Sequence, residues 1–149
     1  MIKIAASHGL ILGFVIIAVL IVSSIVGIPL LIIMAYIVGI IYATVVYRDK
    51  HLGGTIDYRS SLLFGILVSG FTSIIIGVSL YVFIMFNREE FRQIFNAVLE
   101  RMKSRGYAVS DIHESMMYNP IFLIASYLFT GLLCGLIVSS ITSILLKKK

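Results

Sequence analysis

Three runs without a single Asp, Glu, Lys or Arg constrain this chain more than any other feature. They span 44 residues between Lys3 and Arg48, 28 between Arg59 and Arg88, and 32 between Glu114 and Lys147. A water-soluble fold cannot accommodate them, because apolar stretches of roughly 18 or more residues are the signature of helices that cross a bilayer. Composition agrees: 60% of residues are hydrophobic and 13% charged, with a mean hydropathy of +1.08, against about 25% charged in ordinary globular domains. The expectation is an all-α, multi-pass integral membrane protein.

The first run is about twice the length of one span and is interrupted by Gly27-Ile28-Pro29. Glycine suits a helix end and proline a helix start, so the run divides into a tight helical hairpin. Spans are therefore expected over about residues 4–26, 30–47, 60–86 and 120–146, as a single membrane domain of residues 1–149. A polar loop from Arg48 to Tyr58, turning at Gly53-Gly54, joins the second span to the third. Lys3 before an apolar stretch could imitate a secretory leader. That stretch is too long, and a second follows at once.

Residues 87–119 differ in composition. Charged residues reappear among apolar ones, and Phe91, Ile94, Phe95, Val98, Leu99 and Met102 fall at offsets of 0, 3, 4, 7, 8 and 11, the spacing of one helical face. This predicts an amphipathic helix outside the membrane, ended by Gly106. A second, shorter helix capped by Ser110 is expected to run to about Tyr118, completing an extramembrane hairpin between spans three and four. The apolar face needs cover, and mixed charge argues against a helix dedicated to anionic lipid. Protein contact is expected instead, first with the ends of the same molecule's spans and otherwise with a separate partner.

Orientation follows from counting Lys and Arg on each side. Lys3, Arg48, Lys50, Arg59, Lys147, Lys148 and Lys149 put seven on the side of the termini, whereas residues 87–119 hold five, offset by five acids. The short loops decide topology, and both termini are expected in the cytoplasm of a bacterial inner membrane. These basic residues line membrane borders rather than one exposed face, which excludes a nucleic-acid footprint. Arg48, Lys50 and Arg59 are candidates for contact with lipid headgroups or a partner.

Small residues recur every fourth position. Ser61, Gly65, Ser69, Ser73 and Gly77 do so in span three, and Gly131, Gly135, Ser139 and Ser143 in span four; Gly9 and Gly13, then Ala35, Gly39 and Ala43, echo them in spans one and two. Helices in lipid associate through close backbone approach at such positions, helped by serine hydrogen bonds. These stripes are expected to hold the bundle together, with a homo-oligomer or partner interface as the other use. Which of them faces inward is left open.

Chemistry is sparse. No ionisable residue lies in a span interior, since His8 sits about one turn into span one and reads as an interfacial polar residue. His113-Glu114 has no second His or Cys at ligand spacing. Gly53-Gly54-Thr55 lacks the spacing and lysine of a phosphate loop. The lone Cys134 reads as a small hydrophobe. No catalytic residue, metal or cofactor is expected, and a non-enzymatic accessory or scaffold subunit is the favoured reading. The alternative is lipid-linked substrate handling, as a flippase-like or glycosyltransferase-assisting subunit. It would need a polar cavity, which Ser69, Thr72, Ser73, Ser139, Ser140, Thr142 and Ser143 could line. A passive pore is a further option.

The stretch Tyr47-Arg48-Asp49-Lys50-His51-Leu52-Gly53-Gly54-Thr55-Ile56-Asp57-Tyr58, leading into a long apolar span, resembles the hallmark of a bacterial membrane family known as domain of unknown function four-one-nine-nine. The likeness extends over the N-terminal hairpin, the charged segment with Ser110-Asp111-Ile112-His113-Glu114-Ser115-Met116-Met117, and the lysine-terminated last span. His51 departs from it, standing where an acidic residue is expected. The resemblance implies a four-pass inner-membrane protein and assigns no activity or functional residue.

Overall fold

The computed structural model describes residues 1–26, 28, 30–106 and 119–146, without the side chains of 24, 25, 94, 95, 98, 99, 102, 103, 120 and 123. Five helices account for nearly all of it: α1 (Ile2–Val26), α2 (Leu30–His51), α3 (Tyr58–Phe86), α4 (Arg88–Ser104) and α5 (Pro120–Leu146). All but α4 are long and apolar enough to cross a membrane. The chain thus has the four long apolar helices that the uncharged runs demand. The proposed second arm of the hairpin, with Ser110 and His113, lies outside the described residues, as do Gly27, Pro29 and the three terminal lysines.

Helix α3 is the hub. It makes its most extensive contacts with α5 and then α1, and it also touches α2; α2 contacts α1 and α5, while α1 and α5 make no contact among the described residues. The four spans therefore form a rhombus whose short diagonal is α2–α3. Burial follows from that position, with 44% of the most apolar window of α3 buried against 22 to 28% for the other three. The remaining faces carry exposed Ile, Leu, Val and Phe, such as Phe14, Leu133 and Phe129. In lipid, side chains of that kind face a solvent as apolar as themselves.

Two helix boundaries differ from the sequence expectation. Helix α2 runs on to His51, so Arg48 and Lys50 occupy its last turn rather than a loop. Cations are favoured there by the negative end of the helix dipole, so charge marks the membrane border without ending the helix. The turn that does end it uses Gly53 and Gly54, both at positive φ (65° and 89°), and Gly54 N–H donates back to Arg48 O at 3.1 Å. Helix α3 then starts two residues early at Tyr58, because Asp57 caps it: Ser60 N–H donates to Asp57 Oδ2 at 3.1 Å.

Helix α4 follows α3 after the single residue Asn87, whose N–H donates to Phe83 O at 3.0 Å and whose O accepts from Phe91 N–H at 3.0 Å. Its extent matches the periodic apolar segment. Among the described residues its backbone comes close to α3 and to no other helix. Of its expected apolar face only Phe91 is described at side-chain level, and it is half-buried.

Candidate functional site

The small-residue stripes of α3 and α5 face each other. A Cβ on Gly65 would overlap Ser139, one on Gly135 would overlap Ser69, and one on Gly131 would overlap Ser73. Further along, a Cβ on Gly77 would stand 3.1 Å from the Ile124 backbone. The two helices run antiparallel with glycine opposite serine at all three levels, the glycine lying on α3 at the first and on α5 at the next two, so each serine enters the gap that the opposing glycine leaves. The same register sets Ser61 across from Ser143. Close approach on α1 works likewise: a Cβ at Gly9 would lie 2.9 Å from Val68 O and one at Gly13 2.9 Å from Ile75. On α2, Gly39 receives the Leu12 side chain, and Ala43 is buried beside it in the core.

One polar chain crosses this interface. Ser69 Oγ donates to Gly131 O, and having spent its only proton there it accepts from the Tyr36 hydroxyl, which also lies 3.2 Å from Gly131 O. Ser73 Oγ donates to Ser69 O at 2.9 Å. Thr72 Oγ1 is 2.8 Å from Val68 O and 3.1 Å from Gly9 O, tying α3 to α1. Ser61 Oγ and Ser139 Oγ, in contrast, are buried with no hydrogen-bond partner. Tyr36 thus joins α2 to both α3 and α5. The sequence reading passed over it, although a tyrosine well inside an apolar span was a usable signal: aromatics of this type favour the membrane border, and a phenol in hydrocarbon needs a partner.

The hydroxyls proposed to line a polar cavity are placed otherwise. Ser69, Thr72, Ser73, Ser139, Thr142 and Ser143 are all buried in helix contacts, and Ser140 donates to Leu136 O of its own helix at 2.7 Å. A cavity of about 430 Å³ does lie beside the seam, between α1, α2, α3 and α5, with Ser73 alone of that set on its wall. Cys134 is exposed and lines the same cavity.

At the opposite end of the bundle, Tyr47 stacks on the fully buried Phe64 with ring centroids 4.1 Å apart and planes within 5°. His51 and His8 flank this pair at 5.8 Å from Tyr47 and 6.1 Å from Phe64. His8 Nδ1–H donates to Ile4 O at 2.9 Å, consistent with a satisfied polar residue near a border. The basic residues nearby are not assembled into one site. Arg48 pairs with Asp49 at 2.7 Å, whereas Lys50 and Arg59 are exposed on separate helices. No group of three His, Cys, Asp or Glu side chains suited to a metal occurs among the described residues.

What these contacts define is a four-helix membrane bundle built on small-residue packing, with a fifth helix outside the four. The chain belongs to the family described as Protein of unknown function (DUF4199), whose pattern matches residues 7–148. No curated protein and no solved structure matches it.

Proposed function

We propose that the chain is a non-enzymatic accessory or scaffold subunit of the bacterial inner membrane, with both termini in the cytoplasm and α4 on the outer side. The observation that carries this reading is the placement of α4. Among the described residues its backbone approaches α3 and no other helix, which supports a cover from outside the bundle for the apolar stripe that the sequence sets from Phe91 to Met102. Six large apolar side chains left in water would forgo on the order of ten kcal/mol. Glu89 and Glu90 offset Arg88 and Arg92 at its start, which supports a protein surface over anionic lipid as the cover. The occupant we assign is the outer segment of a separate membrane protein.

The rival reading, handling of a lipid-linked polar substrate, needs exposed hydroxyls between the spans, and their burial in helix contacts counts against it. A pore is disfavoured by the contact of α2 with α3 across the bundle. The test is purification in mild detergent with mass spectrometry of what accompanies the protein. A stoichiometric membrane protein is expected, and it should be lost when Phe91, Phe95 and Val98 are replaced by serine. A monomer without partner, unaffected by those substitutions, would sink the proposal.

A further inference from the structure

The cavity beside the Tyr36 seam has a composition that selects its contents. Its walls include Ile16 of α1, Ile33 and Ile37 of α2, Ile76 of α3, and Cys134 and Ile137 of α5, and the surface they present is almost wholly carbon. The polar residues on the wall, Tyr36, Ser73, Tyr127 and Thr130, expose little polar surface to it. Tyr36 directs its hydroxyl at Ser69, and Ser73 directs its own at the Ser69 carbonyl. At about 430 Å³ the cavity falls within the range of small-molecule sites, roughly 300 to 1,000 Å³. Its rim is open: Leu20, Ile33, Tyr127 and Ile137 are 40, 57, 38 and 59% exposed. They belong to helices that cross the bilayer, so the rim faces hydrocarbon rather than water.

We propose that this cavity is an intramembrane lipid site that takes one acyl chain of a bilayer phospholipid, tail without headgroup. Its residues come from the second halves of α1 and α3 and the first half of α2 and straddle the middle of α5, so the cavity sits near the mid-plane and the chain enters from the leaflet on the α4 side. A wall almost wholly of carbon offers little that could prefer one headgroup over another, and without differential contacts a scarce lipid gains no advantage over an abundant one. Mass action then fills the site with the commonest chain in the bilayer. The inference is independent of the partner proposed for α4.

The test uses the full chain in phosphatidylethanolamine and phosphatidylglycerol vesicles doped with a phospholipid bearing a mid-chain diazirine, with adducts mapped by mass spectrometry after illumination. Adducts are expected at Tyr127, Cys134 and Ile137 in excess of those at the outward Phe14 and Phe129. Cys134→Phe, which fills the cavity, should lower labelling of Tyr127 and Ile137 several-fold. Leu133→Phe, one position away and outside the cavity, should leave it unchanged. Val19 and Leu31, which line a separate furrow between α1 and α2, serve as the internal reference and should label equally in both variants. If Cys134→Phe fails to fold, Ile37→Phe fills the same space from α2, and the wild-type adduct map decides regardless. Cavity labelling no higher than at Phe14 and Phe129, or unaffected by filling, would overturn the proposal. So would strong labelling by a diazirine-bearing isoprenoid alcohol that phospholipid does not compete away.

Discussion

Ser69 and Gly131 show how little side chain is needed to join two helices in lipid. Glycine lets the backbones approach, and Ser69 occupies the gap left at Gly135 while donating to the Gly131 carbonyl one turn away. Adding one carbon where no gap remains should be costly. Gly135→Ala or Gly131→Ala is expected to destabilise the bundle by roughly 1–3 kcal/mol, the usual penalty of overpacking. Gly70→Ala is the matched control, because its Cβ would meet only Leu132 Cδ2, at 3.4 Å, and it should be near neutral. Thermal unfolding of the three variants in one detergent checks this. The serines divide in the same way. Ser69→Ala removes the donor to Gly131 O and the acceptor of the Tyr36 hydroxyl, and should cost about 0.5–1.5 kcal/mol. Ser139→Ala deletes a buried hydroxyl that has no partner and should be neutral or stabilising. Equal losses from both would contradict the hydrogen-bond assignment. The four-residue repeat of small side chains was legible in the sequence, but their pairing was not, since periodicity fixes a face and not the face it meets. Tyr36 was missed for a related reason: its partners lie on other helices.

Helix boundaries were the least legible elements. Charge at Arg48 suggested the end of span two, yet a helix leaving the membrane keeps its hydrogen bonds in water, and α2 continues to His51. The cap on α3 carries a pH signature. The Ser60 hydroxyl, and after it the Ser60 N–H, hold the Asp57 carboxyl below its ordinary value. A depressed folded value means that the stabilisation is present above the unfolded carboxylate pKa, about 3.9, and is lost as pH falls through the lower folded value. Asp57→Ala should therefore lower the melting temperature at pH 7 and have less effect at the acid end of that window, whereas Asp57→Asn should retain most of the cap. A deficit that does not vary with pH would contradict a role for the charge. Helix α4 was located correctly from periodicity, because its apolar residues alternate with charges. Its cover could not be read, since amphipathic spacing identifies a face without naming what lies on it. With backbone contact to α3 and no other helix among the described residues, α4 is expected to exchange its amides faster than the buried middle of α3, around Phe64 and Val68, in the purified protein. Slowing confined to α4 when the partner is present is the result expected of a docking helix. Equal protection without a partner would show that the bundle itself covers it.

At the scale of the whole molecule, the uncharged runs led directly to four long apolar helices, because hydrocarbon leaves the backbone no alternative to internal hydrogen bonding. Their rhombic arrangement with α3 as hub did not follow from hydropathy, which is similar in all four spans. It depends on which small-residue stripes meet. The account as a whole turns on sidedness: α4 can serve an outer partner only if it lies outside, opposite the loop between α2 and α3. Accessibility of single cysteines in intact cells, in a Cys134→Ser background, tests this most directly. Ser104→Cys should react with a membrane-impermeant maleimide without permeabilisation, and Thr55→Cys, in the loop between α2 and α3, should react only after it. Labelling of Thr55→Cys in intact cells with Ser104→Cys protected would invert the topology and contradict the account.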